Sequence, residues 1–110
     1  SFMKHFMCTH TFSCEDAWAR SSNPDTVLTD RQFFELLNKD KARVLQHWRG
    51  SEDFFFCHWE AESAEAIHEV LEEVGMAGNM ITMPQEMHRF VTTYNITDKK
   101  MVIPPRSDES

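Results

Sequence analysis

The chain has 110 residues, 41% of them hydrophobic and 26% charged, with nine Phe and three Trp. That length holds one domain with one core, and the aromatic content excludes a disordered chain, because it supplies enough apolar surface to offset chain entropy. The net charge of −7, from 11 Lys and Arg against 18 Asp and Glu, argues against nucleic acid as a partner, since phosphate binding needs a basic face.

No apolar run approaches the ~20 residues of a membrane span, so no membrane partner is expected. Cys8, Cys14 and Cys57 are odd in number, irregularly spaced and without a CxxC. They make a poor disulfide framework and read as reduced thiols of a cytoplasmic protein. Nothing reads as a signal peptide.

Residues 2–12, FMKHFMCTHTF, read as a strand: Phe, Thr and Cys suit a pleat, and neither Gly nor Pro interrupts it. Residues 13–28 form a polar connection with one short helix, in which Ser13 is the expected N-cap and Ala17, Trp18 and Ala19 follow. A connection of this length in a small domain is expected to carry function or to fold as a lid. Thr29 and Gln32 form a capping box. Phe33, Leu36 and Leu37 then share one helical face, and this helix is expected to run to about Lys39.

Residues 42–49 read as a second strand, Gly50-Ser51 as a hairpin turn and residues 54–60 as a third strand. Ser63 caps a second main helix, whose apolar residues Ile67, Val70, Leu71 and Val74 recur at helical spacing before Gly75 ends it. Residues 76–85 read as a loop and residues 87–94, MHRFVTTY, as the fourth strand. The domain then covers residues 1–96, and residues 97–110 form a C-terminal arm.

The order β-α-β-β-α-β is the ferredoxin-like arrangement of the α+β class: an antiparallel sheet with the helices on one face. Right-handed crossovers place the first and third strands side by side at its centre. In the third strand Phe54, Phe56 and His58 point one way, and Phe55, Cys57 and Trp59 the other. Both sets are bulky, yet the helices can cover only one of them. A second copy of the sheet, or the segment around Trp18 together with Met101-Val102-Ile103, must cover the other; the expectation is a homodimer.

Residues 44–75, VLQHWRGSEDFFFCHWEAESAEAIHEVLEEVG, resemble a group of small bacterial ferredoxin-like proteins of unknown function or nickel-responsive type. The shared features are Trp48 near the end of the second strand, the short acidic turn, Phe56-Cys57-His58-Trp59, and the helix opening Ala64-Glu65-Ala66-Ile67. The resemblance implies a dimeric α+β barrel, in which two ferredoxin-like subunits press their sheets together around a cavity. Across that superfamily it implies metal binding in some members, and cofactor-free oxygenase, isomerase or lyase activity in others. The chain departs from the group in its longer residues 13–28 and in having His47 where relatives carry a small polar residue.

Three chemistries follow as expectations. The first is a cavity on the sheet face for an apolar or amphiphilic small molecule, such as a fatty-acid-like carboxylate. Phe54, Phe56, Trp48, Trp18 and Met7 would be its walls, and His5, His47, His58 and Arg89 its polar anchors, with Arg43 and Arg49 also available. The second is catalysis without a cofactor, with His58 or His10 as general base. The third is a transition-metal site of nickel type. With no HExxH and no CxxC it would have to be assembled across strands, so no metal ligand is assigned. His5, at the start of its strand, is expected to meet the His58 end of the third. Cys57 and His58 point to opposite faces, so Cys57 pairs only with a histidine of another strand or is a buried, inert thiol.

Overall fold

The computed structural model describes residues 3–107. The expected strand start at Phe2 and the end of the arm lie outside the described residues. The elements in chain order are β1 (Lys4–Phe12), α1 (Glu15–Ser21), α2 (Asp30–Leu36), β2 (Ala42–Arg49), β3 (Phe54–Ala61), α3 (Ala64–Glu73), a 3-10 turn (Ala77–Asn79) and β4 (Met80–Met87). The four strands form one antiparallel sheet in the order β2-β3-β1-β4, with β1 and β3 central, as the crossover rule requires. This is an α+β fold consistent with the ferredoxin-like arrangement. Among the described residues no helix is long and apolar enough to cross a membrane.

The core lies between α3 and one face of the sheet. Ile67, Val70 and Leu71 on α3 are buried against Phe6, Cys8, Cys57 and Trp59 from the two central strands. Each large side chain so removed from water contributes roughly 1.5–3 kcal/mol. Ser63 accepts the Ala66 N–H at 3.1 Å and so starts α3 where its hydroxyl predicts. At the other end the Gly75 N–H donates to the Glu72 carbonyl and the Met76 N–H to the Leu71 carbonyl, with Gly75 at φ +80°. That paired closure is the Schellman motif, and it turns Met76 back against the core. Thr29 and Gln32 make both bonds of the expected capping box, at 3.1 and 3.0 Å.

Three local expectations are corrected. The fourth strand is Met80–Met87, not residues 87–94; the preceding loop shrinks to the turn before Met80. Pro84 pairs opposite Cys8 within it, which is tolerated because β4 is an edge strand with no ladder on its outer side. The second helix stops at Leu36, because the Lys39 N–H is drawn to the Ala42 carbonyl in the turn into β2. The cap of the first helix is Cys14, which makes no side-chain cap bond. Ser13 instead ties its hydroxyl to the Gly78 carbonyl and its N–H to the Asn79 carbonyl.

The expected split of the aromatic strand holds. Phe55, Cys57 and Trp59 are buried beneath the helices, whereas Phe54 and Phe56 on the open face stay 50% and 39% exposed. Trp48, Met83 and Ile81 extend that apolar face across the neighbouring strands. Neither intramolecular cover forms: Trp18 stands exposed on α1, and Met101, Val102 and Ile103 are exposed in the tail. Phe90, just beyond β4, covers one corner by packing on His5 and His58, with ring centroids 4.6 and 4.8 Å apart.

Candidate ligand cavity

α1 and α2 have only seven residues each. They leave part of the sheet's helix-side face uncovered beside α3, and the long connection between them arches over the gap. The result is a cavity of about 580 Å³, a size suited to a small organic ligand. Its floor and walls are Phe12, Phe55 and Met80 from the strands, Phe33 and Phe34 from α2, Val27 and Leu28 from the connection, and Met76. The capping box at Thr29 fixes where Phe33 and Phe34 fall, and the closure at Gly75 fixes Met76.

Polar residues make up nearly half of the lining, among them Arg20, Arg49, Asp30 and His47. Arg20 donates to Asn79 Oδ1 at 2.9 Å, and Arg49 donates to the Ser22 hydroxyl at 2.7 Å with its guanidinium 4.9 Å from the centre of the Phe12 ring. Both arginines therefore rest on neutral oxygens, with Asp30 the single carboxylate lining the cavity among the described residues. His47 lines it too. Burial lowers the pKa of His47, as does the Arg49 charge, against a backbone hydrogen bond at Phe56 and the Asp30 carboxylate, which raise it.

Behind the cavity lies a smaller one of about 20 Å³, which shares Phe33, His47, Phe55, Met76 and Met80 with it. His10, Cys57 and Trp59 close its far side. Among the described residues two buried polar nitrogens, His10 Nε2 and Trp59 Nε1, have no hydrogen-bond partner. Leaving a buried polar atom unpaired costs about 1–3 kcal/mol. His10 is 1% exposed, stacks on Phe55 at 4.9 Å and 16°, and has its Nδ1 2.9 Å from the Thr82 hydroxyl. Burial, aided by the nearby His47, pushes its pKa down to about 4, so the ring is neutral at pH 7.

The sequence-derived candidates divide between the two faces of the sheet. Among the expected binding residues His47 and Arg49 line the large cavity. Met7, Trp48, Phe54, Phe56, His5 and His58 lie on the open face, Trp18 is exposed on α1 outside the cavity lining, and Arg89 follows β4 beside Phe90. Of the two candidate bases, His10 backs the cavity, whereas His58 is hydrogen-bonded to His5 under Phe90 on the far side of the sheet.

Cys57 does meet a histidine from another strand: His47 Nδ1 lies 3.3 Å from its sulfur. Burial raises the Cys57 thiol to about 12, which keeps it protonated and unreactive. Among the described residues no three His, Cys, Asp or Glu side chains gather into a group that could hold a metal ion.

Sequence reasoning missed Phe12, Arg20, Asp30 and the Phe33-Phe34 pair as cavity residues. The one available signal was the length of residues 13–28, which bring Arg20, Val27 and Leu28 to the site. Comparison with protein-family models, with curated proteins and with solved structures finds no match to this chain. The resemblance carried by residues 44–75 therefore stands on those residues alone.

Proposed function

We propose that the protein binds a small amphiphilic molecule with an apolar or aromatic body and a carboxylate head, one per subunit of a homodimer. The carrying observation is the cavity of about 580 Å³ with phenylalanine, methionine and aliphatic walls and two arginines at its margin. In a chain of net charge −7, two guanidinium groups resting on neutral oxygens favour an anionic head that either can take in a two-pronged bond. The ligand enters on the helix side, so the open sheet face stays free for the second copy.

Binding is favoured over catalysis by the low basicity of His10, the candidate base behind the cavity. A general base works best with a pKa near the working pH. His10, at about 4, is a hydrogen-bonding group at neutral pH rather than a proton acceptor.

The test is calorimetric titration with medium-chain fatty acids and arylalkanoic acids, together with their methyl esters. The acids are expected to bind at micromolar concentration. The esters and the Arg20→Gln/Arg49→Gln double variant are expected to lose at least tenfold. Equal affinity for acid and ester would remove the carboxylate, and no heat with any member of the series would remove the function.

A further inference from the structure

Residues 88–106 lie outside every helix and strand. Their backbone closes local turns, with the Asn95 N–H donating to the Thr92 carbonyl and the N–H groups of Tyr94 and Lys99 to the hydroxyls of Thr92 and Thr97. Yet Tyr94, Ile96, Met101, Val102 and Ile103 stand 67% to 96% exposed in this segment. A segment that stays solvated is poor in aromatic and β-branched residues, because each keeps apolar surface in water. The radius of gyration is 15.5 Å, against about 13 Å for a compact domain of this length, in keeping with a segment that stands off the body.

We propose that residues 91–103 are an exchanged arm, which in the homodimer packs on the second copy at the margin of its open sheet face. The arm starts at that face, where Phe90 sits on His5 and His58. It is long enough to cross, since thirteen residues of extended chain reach about 40 Å, and the shorter dimensions of the molecule are 30 and 27 Å. It also supplies area that the paired sheets lack. The open face spans about 500 Å² in its plane, whereas a stable dimer buries about 800 Å² per partner, which leaves about 300 Å² to find. Lys99 and Lys100 against Asp98 give the arm a positive balance in a chain of net charge −7, which suits an acidic surface beneath it. This rests on the homodimer reading above and adds to it a contact outside the sheet-on-sheet face.

The experiment reads contact between copies of the full chain. A nitroxide is placed on Val102→Cys in a chain that also carries Cys14→Ser, since Cys14 is exposed and makes no cap bond, whereas Cys8 and Cys57 are buried. That copy, without isotope, is mixed with an unsubstituted ¹⁵N-labelled copy, so every broadened amide reports on the arm of the other chain. One contiguous patch at the margin of the open face is expected to broaden. Separately, Val102→Asp/Ile103→Asp is expected to keep the circular dichroism of the unsubstituted chain and to raise the dimer dissociation constant about tenfold in sedimentation.

A dimer in which broadening is uniform or absent overturns the arm while leaving the homodimer standing. An unchanged dissociation constant in the double variant does the same. An unsubstituted chain that sediments as a monomer overturns the two together.

Discussion

His5 Nδ1 lies 3.0 Å from His58 Nε2, joining the start of one central strand to the end of the other on the open face of the sheet. Of the two facing nitrogens one donates and the other accepts, so the bond survives the first protonation of the pair and is lost at the second, when neither ring has a lone pair left. Burial lowers the pKa of His58, and the charge of His5 lowers it further, against Glu60, which Arg43 holds at 2.7 Å. The contact is therefore intact at pH 7 and weakens as the pH falls below the ordinary histidine range. Phe90 packs on both rings, so its anchoring falls with them. The amide resonances of residues 88–92 are expected to move toward unstructured values as the pH falls below the ordinary histidine range. Positions unchanged down to pH 4.5 would contradict this coupling.

His10 makes global stability fall in acid. Its pKa is about 4 in the folded chain against an ordinary value of 6.5. A base whose folded pKa is depressed takes up its proton more readily unfolded. Its contribution is complete above about pH 6.5 and is lost as the pH falls toward about 4, with a total on the order of 3 kcal/mol. Urea denaturation at pH 7 and pH 4.5 measures the difference. His10→Phe, which keeps an aromatic ring against Phe55, is expected to flatten the dependence, leaving the smaller shares of His47 and His58. An unchanged slope in that variant would show His10 to be protonated as easily folded as unfolded.

A Cβ added at Gly50, Gly75 or Gly78 would meet nothing within 4 Å, so space does not distinguish them. Backbone conformation does, because only Gly75 has a positive φ, +80°. Gly75→Ala is expected to cost about 1–2 kcal/mol of stability. The same change at Gly50 or Gly78 should stay within about 0.5 kcal/mol. Because Met76 follows Gly75 into the cavity wall, Gly75→Ala is also expected to weaken carboxylate binding. Equal midpoints for the three variants in urea would refute the assignment.

Much of this fold is written locally. Ser63, Gly75 and the apolar spacing of α3 are signals that act within a few residues, and the structure places the helix where they do. β4 was less legible because Pro84 reads as a breaker until it is known to sit on an edge. The cavity was harder still. The alternation in FFFCHW reveals two apolar faces, but the strand alone does not tell which of them retains a void. That depends on how far two seven-residue helices and the arch between them fall short of covering the sheet. Arg20 and Arg49 are 29 positions apart, and only the tertiary fold brings them to one margin.

The open face supplies the remaining prediction. Four strands of eight or nine residues span about 500 Å² in the plane of the sheet, and side-chain relief adds to that. Stable dimers bury about 800 Å² of accessible surface per partner, so one sheet pressed on its copy approaches the required size. Trp48 at 44% and Phe54 at 50% exposure would each return roughly 1.5–3 kcal/mol on full burial, scaled by the fraction still in water. The unsubstituted chain is therefore expected to sediment as a dimer. Phe56→Glu, which sets a charge at the middle of that face, is expected to sediment as a folded monomer that still binds carboxylates on the helix side. A monomeric unsubstituted chain at tens of micromolar would leave the face without its second copy, and loss of ligand binding in Phe56→Glu would show the two faces to be coupled through the sheet.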